Sequence, residues 1–529
     1  MNIFEKHGPF LAVAAAVIAS CAYVYPAAAA DELRVATAYK LMTLDPQYAN
    51  LNENNSLLSQ IYERLIYQDE NLQLQPSLAL LWRSVSDTTW EFKLRPNVKF
   101  HDGSAFTAED VIYSVDRIKN VLQPPGGGFR SYLGGVKSVT ASDPLTVVVE
   151  TDRPLPNLPQ AFASIFIMHR PASGSQTTEG LNAGDQPVGT GPYKFVKWTP
   201  GETLDLSRNE QYWGRTPRWP EVEFRTIENP AARVAALVTG EADLADAIPA
   251  RDVSSLKQRG IKVASIGAAR INFLQFDLTS DIVPGVTDKE GASIANPFRN
   301  PDVRRALSLA TDRGILVDKI LSGYGTAAAQ FYPDGLPGTS SRLHASPPDY
   351  ARAKALLAKA GYPDGFKLVL AGSNGRYPGD GESLQAIAQN WARIGIEAKP
   401  EAAPYSVFNT NRAAGQYGLW YAGCSGESVD IILDAVVASA QPERGRGSLN
   451  YSNYSNAEFD AMLIKAEALK YGQERDNALA EATDLVMTDQ PIIPLYHFHH
   501  IMGYGDRVAS YVMHPRGWTT AMQATPAKE

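Results

Sequence analysis

The chain has 529 residues, of which 44% are apolar, and its 57 acidic against 49 basic side chains give a formal net charge of −8. No basic stripe is visible, which argues against a polyanionic partner such as nucleic acid; the charge suits a dispersed soluble protein. The length carries a prior of about three domains of ordinary size, and the apolar fraction is enough to bury a substantial interior.

The first thirty residues read as an export signal. Lys6 lies in a short polar start, an apolar run extends from Phe10 to Ile18, and Ala28-Ala29-Ala30 precede Asp31. The apolar run is shorter than the roughly 20 residues of a membrane-spanning helix. Cleavage is expected after Ala30. The alternative is a lipobox at Ile18-Ala19-Ser20-Cys21, with Cys21 as a lipid-anchored N-terminus. After cleavage at Ala30 the only cysteine is Cys424, which excludes an intramolecular disulfide in a compartment that permits one.

Leu33 to Ala38 suits a buried strand, and Asn54 to Leu65 suits a helix ending near a strand-like Ile66-Tyr67 pair. Trp90, Phe92 and Leu94 alternate with polar residues as a half-buried strand requires, and His101-Asp102-Gly103 supplies a turn. Thr107 and Asp110 form a capping box, and Val111, Ile112, Val115 and Ile118 stripe the helix it opens. The glycine-rich run 123–128 reads as a surface loop and not a phosphate cradle, since no Lys-Ser/Thr follows it. Further strands are expected at 147–150, 222–226 and 367–370, and a helix from Leu384 to Ile394. Helices open at Asn300-Pro301 and Ser346-Pro347, Ser455 with Glu458 makes another capping box, and Gly323 and Gly361 act as stops. Strands and helices alternate without a fixed repeat, so the fold class is α/β or mixed α+β.

Nucleophilic chemistry finds no complete constellation. Gly423-Cys424-Ser425-Gly426 ends in Glu427 where a nucleophile elbow needs glycine, and reads instead as a binding loop. Ser254-Ser255-Leu256-Lys257 matches SxxK, but neither Ser-Asp-Asn nor Lys-Thr-Gly accompanies it. There is no Walker A sequence and no HExxH. His497, His499 and His500 are the one metal-like cluster, to which His514 adds a conceivable ligand; their apolar setting after Pro491 and Pro494 favours structural histidines. No cofactor is called for.

Two runs carry a resemblance: WEFKLRPNVKFHDGSAFTAEDVIYSV from Trp90 and PVGTGPYKFVKWTPGETLDLSRNEQYWG from Pro187. NPDVRRALSLATDRGILVDKILSGYG from Asn300, DYARAKALLAKAGYPDGF from Asp349 and SNYSNAEFDAMLIKA from Ser452 follow in order. Together they resemble the family 5 extracellular solute-binding proteins of ABC importers, which include dipeptide, oligopeptide and nickel binders. The resemblance implies a two-lobed periplasmic-binding-protein-like fold. Lobe I would combine 31–75, 187–278 and 491–529; 76–186 would be an inserted domain, 279–490 lobe III, and two crossing segments the hinge. It further implies a periplasmic monomer that hands a small-molecule ligand to an inner-membrane ABC permease and does not act as an enzyme.

In relatives, a segment like Gly375-Arg376-Tyr377-Pro378 brings an arginine to a ligand carboxylate and a tyrosine to the pocket wall. The spacing from Arg376 to Trp391 is shorter here than in dipeptide binders. The run from Gly418 to Asp430 resembles the segment that sets an aspartate on a peptide ammonium. Glu427 falls nearest that aspartate, with Asp430 in reserve and Ser425 in the same loop. Trp420, Tyr421 and Tyr405 would wall the pocket, and Tyr39 with Lys40 would border the ligand from the other lobe. The aspartate-to-glutamate change, Cys424 in place of a common tryptophan and Ile431 in place of a proline leave open whether the ligand is a peptide. A short peptide or peptide-like zwitterion is the first choice. An opine, oligosaccharide, glutathione or metal chelate is the alternative, and a secreted hydrolase is the reading from another class.

Overall fold

The computed structural model describes residues 32–122, 129–170, 176–183, 185–441 and 446–527. The export signal, the possible anchor at Cys21 and the glycine-rich run 123–128 lie outside these residues.

The architecture is mixed α/β, built around a twelve-stranded sheet whose two ends are made differently. At one end Lys367–Ser373 runs parallel to Glu397–Ala403 and to Leu419–Ser425. At the other, Glu32–Thr37 runs parallel to Glu221–Thr226, which continues antiparallel through Thr203–Arg208 to Tyr193–Thr199. Ile492–Tyr504 joins the two ends. Its first half pairs with Arg270–Phe276, and its second half with Lys262–Gly267 and Leu244–Ala245.

Two antiparallel segments therefore run from one half of the sheet to the other side by side, at 267–270 and 497–499. The ladder is irregular there: Ala268 N–H donates to Phe498 O at 2.9 Å, whereas Ala269 N–H turns to Pro515 O at 3.0 Å. Core packing divides at the same place. Leu274, Phe276, Ile493, Leu495 and Tyr496 pack with Leu307 and Trp391, whereas Met502 packs with Leu33, Val222 and Leu244. Arg270–Phe276, which follows the first of these segments, pairs with Leu419–Ser425.

A separate four-stranded antiparallel sheet holds Ala79–Ser86, Thr89–Leu94, Thr146–Thr151 and Val136–Asp143. Trp90, Phe92 and Leu94 point into its core as their alternation requires. The helix Ala108–Asp116 covers it with Val111 and Val115, and Thr107 and Asp110 close the reciprocal capping box.

Several element ends differ from expectation for local reasons. The helix expected over 54–65 spans only Asn52–Leu58. Asp349, not Ser346, opens the helix Tyr350–Lys359, because its carboxylate accepts from Arg352 N–H. Asn456, not Ser455, caps Ala457–Ala468: its side chain accepts from Glu458 and Phe459 N–H, while the Ser455 hydroxyl pairs with that of Ser439. The helix expected from Leu384 spans Asp380–Ala392. Gly423-Cys424-Ser425 is the end of a strand and not a loop.

Candidate ligand-binding site

Glu427 follows the strand Leu419–Ser425, at the point where chain segments far apart in sequence converge. Its side chain is almost fully buried and its Oε1 accepts twice, from Arg516 Nη2 at 2.8 Å and from the Tyr132 hydroxyl at 3.0 Å. Oε2 takes part in neither bond. The Glu427 carbonyl accepts from Gln68 Nε2 at 3.1 Å, and the Tyr332 hydroxyl donates to the neighbouring Gly426 carbonyl. Arg516 is in turn held by His514: the Arg516 N–H donates to Nδ1 at 3.1 Å, so Nε2 carries the proton and donates to Gln68 O at 3.0 Å. The His514 ring stacks on Trp518 at 4.7 Å and 12°. Burial, followed by the nearby Arg516 and Arg64 charges, holds this imidazole down at about 4.

Two residues before Glu427, the exposed Ser425 hydroxyl accepts from Arg270 Nη2 at 3.3 Å. Arg270 opens its strand at the crossing and lies 5.8 Å from the Tyr377 ring centroid. Arg376 lies 5.7 Å from the same ring and 5.2 Å from that of Tyr405. Tyr377 donates to Gly423 O at 3.3 Å. The loop that presents Arg376 is fixed from below by buried Asp380, whose carboxylate accepts from Gly375, Arg376 and Tyr377 N–H at 2.9 to 3.2 Å and from Ser373 Oγ at 2.8 Å. The structure therefore gathers Arg376, Tyr377, Tyr405, Ser425 and Glu427 around the end of one strand. Tyr39 is 52% exposed beyond the crossing, and Lys40 pairs with Glu228 on the surface.

Three expected residues belong elsewhere. Trp420 is in the core with Nε1 donating to Gln275 Oε1 at 3.1 Å, and Tyr421 is fully buried on the opposite face with its hydroxyl against that of Tyr496. Leu419–Ser425 is an interior strand covered on both faces, so both alternations are buried and neither aromatic can wall a cleft. Asp430 is in an interior ion pair with Arg475 at 2.8 Å. The histidines do not converge either: His497 Nδ1 lies 3.0 Å from Arg270 O, His499 Nε2 lies 3.2 Å from Thr326 Oγ1, and the His500 ring packs under Gly517.

Arg270, Arg516, Tyr132 and Asp380 were not anticipated. Asp380 follows the loop it caps by three to five residues and was legible as an N-terminal carboxylate; Arg516 and Tyr132 carry no local signal.

The model of bacterial extracellular solute-binding proteins, family 5, matches residues 73–431. The chain belongs to this family. It is 30% identical to the glutathione-binding protein GsiB of Pectobacterium atrosepticum, over 91% of this chain and 90% of that one. It is 27% identical to heme-binding protein A of Haemophilus influenzae, over 88% and 86%. The structure of HbpA2 from Haemophilus parasuis superposes with a TM-score of 0.78 at 25% identity, covering 94% of this chain and 99% of that one. As a family 5 member it is the extracytoplasmic substrate-binding component of an ABC importer.

Proposed function

We propose that the protein captures a short peptide or peptide-like zwitterion between the two halves of its sheet and passes it, chemically unchanged, to an inner-membrane ABC permease. The lobes of this reading meet at 267–270 and 497–499, and 76–186 is the inserted domain. The export signal is removed after Ala30. Ligand contacts to both lobes stabilise the closed state, and they shift the open-to-closed equilibrium only by their differential affinity.

The observation that carries the ligand class is the charge pattern at the strand end. Glu427 Oε2 accepts no hydrogen bond among the described residues, and the fork-shaped guanidinium groups of Arg376 and Arg270 stand by the Tyr377 ring. An ammonium suits the first and a carboxylate the second. Similarity to glutathione-binding proteins agrees with a peptide-like solute. Burial pushes the Cys424 thiol up to about 12, far from a thiolate nucleophile, which supports a binding role and not catalysis.

A ligand at about 100 times its Kd stabilises the protein by about 2.7 kcal/mol, so melting temperature screens di- and tripeptides, glutathione, opines, sugars and chelates. Calorimetric titration of the ligand found should then show a loss of about 2 to 5 kcal/mol in Glu427→Gln, with a marked loss in Arg376→Lys. If both variants bind within about threefold of the parent, under about 1 kcal/mol, neither residue anchors the ligand. A shift from uncharged sugars alone overturns the zwitterion.

A further inference from the structure

Six arginines are buried among the described residues: Arg64, Arg117, Arg233, Arg304, Arg313 and Arg475. Five of them engage both terminal amino groups. Arg117 and Arg475 each meet a carboxylate, Asp45 and Asp430. Arg233, Arg304 and Arg313 direct theirs onto backbone carbonyls or a serine hydroxyl. A guanidinium removed from water needs such partners, because an uncompensated buried charge is costly.

Arg64 departs from this pattern. It lies between the helix Asn52–Leu58 and the strand Ile66–Gln68 and is 8% exposed, and its side chain makes one hydrogen bond, from Nε to Ser164 O at 3.3 Å. Neither amino nitrogen has a partner among the described residues, and neither is wholly sealed from solvent. The guanidinium carbon is set flat against aromatic surface, 3.7 Å from the Phe166 centroid and 4.9 Å from that of Trp518. Arg516 lies 4.7 Å from the same Trp518 ring and spends its charge on Glu427. Two guanidinium groups thus share one ring, and only Arg516 is paired with the carboxylate. Burial and Arg516 depress Arg64 to about 9, against smaller opposing effects of Tyr132 and Glu427. Arg64, Arg516 and Glu427 together carry one formal positive charge in excess.

We propose that Arg64 is a ligand-recognition residue whose two terminal amino groups receive a carboxylate of the bound solute, so that the protein selects peptide-like solutes bearing an acidic group beyond their terminal pair. This deepens the zwitterion reading above and rests on it. The planar fork suits a carboxylate taken bidentately, and stacking on Phe166 and Trp518 fixes its plane before the ligand arrives.

The test uses full-length exported protein, freed of retained ligand, titrated with glutathione, which has two carboxylates, and with tri-alanine, which has one. Glutathione should bind at least about tenfold more tightly, one charged pair's worth of affinity. Arg64→Gln should abolish that preference while leaving tri-alanine within about threefold, and Arg64→Lys, which keeps the charge without the fork, should retain part of it. Equal preference in parent and Arg64→Gln, or no preference in the parent, overturns the proposal. Glutarate, a bare dicarboxylate, separates this failure from that of the zwitterion reading. If neither peptide binds, that reading falls. Glutarate should still raise the melting temperature of the parent but not of Arg64→Gln, and equal shifts or no shift in the parent overturn the role of Arg64. Arg64→Lys serves the same comparison if the glutamine variant does not fold.

Discussion

Asp430 and Glu427, three residues apart, each meet an arginine at 2.8 Å, and both pairs are almost fully buried. Their surroundings differ. Asp430 stands in the first turn of the helix Val429–Val436, and its partner Arg475 also donates to the carbonyls of Ala466, Glu467 and Leu469 at the end of Ala457–Ala468. That pair joins helices of one packed unit, where the core residues Val429, Leu463 and Leu479 lie together. Glu427 is held instead by Arg516 of the C-terminal tail, Tyr132 near the four-stranded sheet and Gln68 near the N-terminus. Burial alone does not distinguish a structural ion pair from a ligand site. On the proposed reading, what would distinguish them is whether the partners belong to one core or to units that separate when a cleft opens.

The largest expected effect tests this contrast directly. Asp430→Asn removes the ion-pair partner of buried Arg475 and should lower stability by about 3 to 5 kcal/mol, read as a drop in melting temperature and denaturant midpoint. If the units part in the ligand-free protein, as proposed, the partners of Glu427 then reach water and Glu427→Gln should cost under about 1 kcal/mol. Equal losses in the two variants would remove the distinction between the pairs.

An effect of middle size comes from His514. Its folded-state value of about 4 lies below the 6.5 of an unfolded histidine, so between these pH values the unfolded chain binds more protons than the folded one. The contribution is fully present above about 6.5 and is lost as pH falls through about 4, at most about 3 kcal/mol. Protonation at Nδ1 also removes the acceptor for the Arg516 N–H. Melting temperature should fall across this window, and His514→Gln should flatten the slope. An unchanged slope would mean that the acid response lies elsewhere, for instance at buried His497.

Which parts were legible follows from how local their causes are. The Thr107 capping box, the alternation of Trp90, Phe92 and Leu94, and the strands at 147–150 and 222–226 depend on neighbours a few residues away, and all are present. Ordered runs along the chain carried the family. Leu419–Ser425 misled because an interior strand covered on both faces shows no alternation, so Trp420 and Tyr421 resembled pocket aromatics while packing into two separate cores. Arg516 and Tyr132 stand 89 and 295 residues from Glu427, a distance at which no spacing rule operates. Arg64 carries no local signal for a related reason: its missing partners stand out only against the other buried arginines in three dimensions.

The smallest effect isolates the contact between Glu427 and the unit containing the four-stranded sheet. Tyr132→Phe removes the hydroxyl that donates to Glu427 Oε1 at 3.0 Å but leaves the ring against Phe129 and leaves Arg516 on the carboxylate. Because Glu427 keeps a charged partner, the loss should be mainly that of the hydroxyl's bond to Glu427, about 1 kcal/mol, with the longer bond that the hydroxyl accepts from Asn50 Nδ2 at 3.4 Å adding little, and not that of an orphaned ion. If the bond forms only when the units close, the whole loss appears in ligand affinity, about fivefold, with faster ligand dissociation and an unchanged melting temperature for the ligand-free protein. If it persists in the open protein, the melting temperature falls and affinity does not. Stopped-flow dissociation beside calorimetry of the ligand-free variant separates the two. A fall in melting temperature alone would move Glu427 to the side of Asp430, as part of a fixed scaffold.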